Sequence, residues 1–410
     1  MKINIEKHIL KNGLTVLAHT DWSTPLVAVN LLYNIGSKHE NPAMTGFAHL
    51  FEHLMFGGTR AVRDFDNHLQ IAGGESNAFT NCDFTNYYIT IPAGNIETAL
   101  WLESDRMNGP DLSENTIAVQ KKVVAEEFRQ RYLNQPYGEA LLNLRPLVYT
   151  THPYRWPTIG MDISHIEKAD SQTVRDFFNN HYAPDNAILT IAGSIKPEKA
   201  FRLAEKWFGS IERKNVKLPD LPREPLRTSP AMLSVERDVP ADAIYKAWVI
   251  PERSNPDLYI FDVITDILSG GDSGRLYASL VREKRVFSEI NAFVTGETDR
   301  GMLLITGRIN EGVQPETAGQ ALVREIDILR TNPVPEKELL KVKNRFESSF
   351  HLSNTGVLPK ATALSLFELI DEASAINSEV EKYSSVSSGM ILDAASEVLS
   401  ENSASTLWYL

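Results

Sequence analysis

The sequence predicts an α+β protein of two homologous tandem domains, each a mostly antiparallel sheet packed with helices. Three observations lead there. A proline- and charge-rich stretch, residues 212–230, interrupts the apolar pattern near the middle of the chain. The two halves match without a gap at a constant offset of 214 residues: Asn41-Pro42 falls on Asn255-Pro256, Phe47 on Phe261, Leu54 on Leu268, Gly57 on Gly271, and Asn77-Ala78-Phe79 on Asn291-Ala292-Phe293. Hairpin-like strand runs stand apart from the helical runs, and no GxGxxG follows the first strand, which argues against a Rossmann-type alternation. The domains are expected at 1–215 and 231–410, with 216–230 as the linker.

Length and composition agree with two cores. At 410 residues the chain exceeds the roughly 250–300 at which single cores stop growing. A hydrophobic share of 42% with 23% charged residues is ordinary globular usage and excludes long disorder. The net charge of −12 leaves no basic footprint, so nucleic acid is not an expected partner. No apolar run approaches the roughly 20 residues of a membrane span. The N-terminal eight residues alternate polar and apolar as a first strand does, without the apolar core of a signal peptide, which points to a cytoplasmic protein. Cys82, the single cysteine, excludes an intrachain disulfide and reads as an unpaired bystander.

The elements follow in order within each half. Leu14–Ala18 and Leu26–Tyr33 are alternating or continuous apolar runs that read as strands, and Met232–Glu236 and Ala243–Ile250 repeat them. A helix comes next in both halves. Phe84–Ile91 and Met302–Thr306 are the later strands, and helical periodicity follows over Ile96–Met107 and Glu114–Tyr132. Near the end of each half, Ala187–Ala192 and Ser405–Tyr409 are similar apolar strand segments, at a slightly larger offset.

The chemistry concentrates on Thr45–Phe56, a predicted helix stopped by Gly57-Gly58. It carries His49, Glu52 and His53 in an H-x-x-E-H pattern. Residues four apart share a helix face, so both imidazoles can reach one metal ion while Glu52 addresses a water beside it. In the second half, Val263 and Ile267 stand at the histidine positions. An apolar pair suits that helix, so packing does not explain the histidines. A catalytic zinc site commonly adds one carboxylate to two imidazoles. The predicted helix Glu114–Tyr132 offers Glu126 and Glu127, which point about 100° apart, so only one of them can face the metal, and spacing does not choose between them.

These residues resemble the pitrilysin, insulysin and mitochondrial processing peptidase family over essentially the whole chain. The likeness is carried by His49-Leu50-Phe51-Glu52-His53, Gly57-Gly58-Thr59, Ser76-Asn77-Ala78-Phe79-Thr80, Thr85-Asn86-Tyr87-Tyr88, the Val123 to Glu127 segment, and His152-Pro153-Tyr154 with Gly160. The resemblance implies a zinc metalloendopeptidase with one Zn2+ per chain, a fold forming half of a clamshell, and peptide substrates. It puts the third ligand at Glu127, with Glu126 as the fallback, and makes Glu52 the general base. An acid expected seven residues before the third ligand is replaced by Gln120, which puts a supporting contact in doubt. Asn77, Ala78 and Phe79 correspond to an edge strand that binds extended substrate.

The resemblance also implies an arginine and a tyrosine, seven residues apart, supplied from the half opposite the zinc. Arg282 matches the first, but Glu289 occupies the tyrosine position. An ionised carboxylate only accepts hydrogen bonds, so Glu289 cannot donate to an oxyanion. The expectation is a heterodimer with a homologous subunit that carries the Arg/Tyr pair, or else a homodimer. The competing reading is a non-catalytic structural or assembly subunit of the same fold.

Overall fold

In the computed structural model, which describes residues 2–410, the chain forms two units, each assembled from separate stretches of sequence. The first comprises residues up to Arg129, Trp156–Leu221 and His351–Asn377; the second comprises Gln130–Arg155, Pro222–Phe350 and Ser378–Leu410.

The first unit holds a six-stranded sheet of β1 (Glu6–Ile9), β2 (Thr15–Thr20), β3 (Leu26–Tyr33), β4 (Glu75–Thr80), β5 (Thr85–Pro92) and β6 (Ala187–Gly193) in the order β1-β2-β6-β3-β5-β4. Every pair is antiparallel except β2 with β6. The central strand β3 is nearly continuous apolar sequence because both faces are covered. On one face Ala28 packs with Val357 and Ala361 of a helix spanning Val357–Ile370. The polar side chains on that face are satisfied there: Asn30 donates to Ser365 Oγ at 2.8 Å, and Thr190 Oγ1 lies 2.7 Å from the same hydroxyl.

The second unit holds β7 (Ala231–Val235), β8 (Ala243–Val249), β9 (Phe287–Val294), β10 (Met302–Ile309) and β11 (Ser405–Tyr409) in the order β7-β11-β8-β10-β9. Its one parallel pair is β7 with β11. This is the first sheet without a counterpart of β1. A helix at Ala140–Val148 packs on β7, β8 and β11. The α+β class with two mostly antiparallel sheets is what the sequence predicted. The exchange of covering helices, each drawn from the other half of the sequence, was not anticipated.

Three local features differ from the sequence reading. The first strand begins only at Glu6, because the Ile3 backbone is held by the Asn377 side chain: Ile3 N donates to Oδ1 at 2.7 Å and Asn377 Nδ2 donates to Ile3 O at 3.0 Å. The helix from Glu114 stays α-helical to Phe128 and then widens into a π-turn over Arg129–Leu133. The segment 212–230 has no regular structure but is anchored. The backbone N–H groups of Lys214 and Val216 donate to the Asp185 carboxylate, and buried Glu224 accepts from those of Thr150, Thr151 and His152 at 2.8–3.0 Å. A buried carboxylate needs such donors to offset its desolvation.

Candidate metal centre

The histidine helix spans Phe47–Leu54. Phe47, Leu50, Phe51 and Leu54 are buried, and full burial of each such side chain contributes roughly 1.5–3 kcal/mol. Phe51 packs against Tyr182 with ring centroids 5.1 Å apart, and the Tyr87 hydroxyl from β5 donates to Phe51 O at 3.1 Å. Behind this wall, buried Arg106 pairs with buried Glu103 and lays its guanidinium 4.3 Å from the Tyr87 ring centroid. The apolar face therefore fixes the rotation of the helix and turns His49, Glu52 and His53 outward together.

The start of the helix is fixed by a residue that the sequence analysis missed. Gly46 precedes it with φ +93°, and a Cβ there would come within 2.7 Å of Ile159 O, so this turn requires glycine. Buried Glu40 accepts the N–H groups of Gly46 and Ala48, both at 2.8 Å, satisfying donors that the helix end leaves open. Burial pushes the Glu40 carboxyl up to about 8 against the pull of those N–H groups. A capping carboxylate six residues upstream has no standard sequence signature, so only the fold reveals it.

His49 Nε2 lies 3.3 Å and His53 Nε2 3.2 Å from the same Glu127 oxygen, Oε2. The three donor atoms all lie within 4.8 Å of one another. Glu126, on the same helix as Glu127, is turned to solvent and reaches Arg129 at 3.5 Å. Gln120 is half-buried two turns earlier on that helix. Two imidazole nitrogens and one carboxylate oxygen, clustered and half-buried, fit the His2Glu donor set of catalytic zinc.

Glu52 Oε2 stands 3.5 Å from His49 Nδ1. Burial works to raise the Glu52 pKa, but His49 and Thr80, the last residue of β4, outweigh it and hold the carboxyl below its usual range. Burial likewise opposes charge on His49, yet Glu127 and Glu52 raise that imidazole to about 9 in the metal-free protein. Thr80 is a second neighbour that the sequence analysis did not single out as a site residue. The cluster thus demands positive charge between its carboxylates.

Asn77, Ala78 and Phe79 lie on β4, the edge strand of the first sheet. Ala78 N–H donates to Asn77 Oδ1 at 2.8 Å on the exposed side. In the second unit, Val263 and Ile267 are buried where the histidines would stand. Arg282 is exposed beside Glu283 at 4.0 Å, and Glu289 on β9 accepts from Asn291 Nδ2 at 2.9 Å. Among the described residues no helix is long and apolar enough to cross a membrane.

The family described as Insulinase (Peptidase family M16) matches residues 15–149, and the domain described as Peptidase M16 inactive domain matches residues 168–346. A zinc protease, PqqE, from Helicobacter pylori is 29% identical over 355 residues, covering 84% of this chain and 79% of its own. A probable mitochondrial-processing peptidase subunit beta from Arabidopsis thaliana is 22% identical over 364 residues, covering 86% of this chain and 68% of its own. The crystal structure of a protease from Helicobacter pylori aligns with TM-score 0.94 and 25% identity, covering 100% of each chain.

Proposed function

This chain belongs to the insulinase family, peptidase family M16, and on that premise we propose that it is a zinc-dependent endopeptidase for extended or unfolded peptides, working as the catalytic member of a pair. The observation that carries this reading is the convergence of His49, His53 and Glu127 on one point, with Glu52 beside them. When held by those three residues, zinc supplies Lewis acidity to a water and to the scissile carbonyl. Glu52, kept ionised by His49 and Thr80, accepts the proton from the water and returns it to the leaving amine. The free edge of β4 offers main-chain groups at Ala78 to an extended peptide, a mode with little sequence preference.

The pairing rests on Glu289. An exposed carboxylate occupies the position where the family resemblance calls for a tyrosine, so the donor to the developing oxyanion is assigned to a homologous partner carrying an Arg/Tyr pair, or else to a second copy arranged to replace it. A cytoplasmic location fits Cys82, a buried cysteine that forms no disulfide among the described residues, and is checked by cell fractionation.

The test is cleavage of an unstructured peptide by the purified chain, alone and with a Tyr-bearing homologue. Activity should vanish with a chelator, return with zinc and rise strongly with the homologue. No cleavage in either case overturns the peptidase reading, and full activity of the isolated chain overturns the pairing with a different subunit.

A further inference from the structure

Phe177 of the first unit has no aromatic counterpart in the second. In the first unit the helix Ser171–His181 packs on the histidine helix, and the Phe177 ring lies 5.5 Å from that of Phe47 and 5.4 Å from that of Phe51, between centroids. In the second unit the helix Leu258–Ser269, with Phe261 in the place of Phe47, is met by the helix Ser388–Val398. The two partner helices are equal in length and capped alike: the Asp170 side chain accepts from Thr173 N–H, and that of Ser387 from Met390 N–H. Ala394 therefore stands at the position of Phe177, the seventh residue of each helix.

The exchange of a ring for a methyl group leaves space. A cavity of about 370 Å³ lies beside Phe261, with Ile260, Val249, Ala394 and Val398 as further apolar lining. Phe261, Ile260 and Val249 are buried, so this wall is part of the packed interior and closes only in part around a lost side chain. The volume falls in the range of small-molecule sites, about 300–1,000 Å³.

Polar groups of both signs complete the lining. Arg223 Nη2 donates to both oxygens of Glu252, at 2.9 and 3.0 Å, and Arg300 Nε stays 3.8 Å from the same carboxylate, beyond hydrogen-bond reach. Arg300 Nε is buried and donates to no acceptor among the described residues, a state that an arriving acceptor relieves. Asp393 and Glu397 stand one turn apart on Ser388–Val398, both exposed and neither in an ion pair among the described residues.

We propose that this cavity binds a small aromatic zwitterion, a free aromatic amino acid. The ring takes the volume that Phe177 fills in the first unit. The carboxylate accepts from Arg300 Nε, and the ammonium pairs with Asp393 and Glu397. An aromatic residue inside a polypeptide carries neither charge, so the lining selects the free amino acid over a protein side chain. The cavity contains none of the proposed zinc ligands.

The probe is L-phenylalanine, titrated into the full chain and followed by isothermal calorimetry. Saturable binding is expected, weaker by about tenfold for L-phenylalaninamide, which lacks the carboxylate. Phenylpropionate, which lacks the ammonium, should bind about fivefold more weakly, because the acids it misses are exposed. Ala394→Phe restores the side chain of the first unit and should abolish binding, with a melting temperature at or above that of the wild type. The double variant Asp393→Asn, Glu397→Gln, both at exposed positions, should weaken L-phenylalanine and leave phenylpropionate unchanged, and it decides the question if Ala394→Phe does not fold. No saturation by L-phenylalanine, equal binding of N-acetyl-L-phenylalaninamide, binding that survives in folded Ala394→Phe, or indifference to the double variant overturns the proposal.

Discussion

Glu127 Oε2 and His53 Nε2 approach to 3.2 Å although they stand on separate helices, and Glu126, one residue earlier, points to solvent. The helix turn of about 100° per residue thus separates two candidates that look alike in sequence. Glu127→Gln should weaken zinc binding by more than about 100-fold, beyond what the loss of a supporting contact costs. Glu126→Gln should leave it unchanged. Competition with a chromophoric chelator measures both, and the reverse ranking would transfer the ligand role to Glu126.

Glu52 is expected to move protons, with His49, His53 and Glu127 holding the metal. Glu52→Gln keeps the side-chain shape beside His49 and Thr80 but removes the base. Zinc stoichiometry should stay at that of the wild type, while peptide turnover falls by about 100- to 10,000-fold. Residual activity near the wild-type level would exclude Glu52 as the base.

The histidine pattern and the duplication were legible in the sequence because they are local spacings: an i, i+4 pair on one helix face, and matches at a constant offset. Glu40 and Thr80 did not stand out as site residues: Glu40 caps the helix through a local turn that has no standard sequence pattern, and Thr80 reaches Glu52 only when β4 folds against the histidine helix. The covering helix Val357–Ile370 was hidden for a related reason. Its own apolar pattern marks a buried helix, but nothing in that pattern says that β3 and β6, more than 160 residues away, supply the other surface.

That helix makes its own electrostatic prediction. Lys360, almost fully buried, pairs with Asp21 at 2.5 Å, and the Lys360 hydrogen bond holds the Asp21 carboxyl far below its usual value of 3.8. A carboxyl depressed in the folded state stabilises the fold above its unfolded pKa, and this contribution is lost as pH falls through the folded pKa. Asp21→Asn leaves Lys360 charged and unpaired, at a cost of about 3 kcal/mol at pH 7. In urea unfolding, the gap between wild type and variant should narrow as pH drops below about 4. A gap that widens on acidification would assign the wrong sign to the pair.

The edge strand offers the most direct test of how substrate is held. Ala78 N–H donates to the Asn77 side chain on the exposed side, so it is available to a peptide that displaces Asn77 Oδ1. Proline is tolerated on an edge strand where the N–H faces outward, so Ala78→Pro should remove this donor while β4 stays paired with β5. One hydrogen bond lost is worth about 0.5–1.5 kcal/mol, or roughly 3- to 10-fold in KM. The peptide makes that bond both in the bound state and during reaction, so KM should rise with kcat nearly unchanged. Zinc content should match the wild type. A variant with native zinc content, an unaltered melting temperature and an unchanged KM would show that substrate does not add to β4.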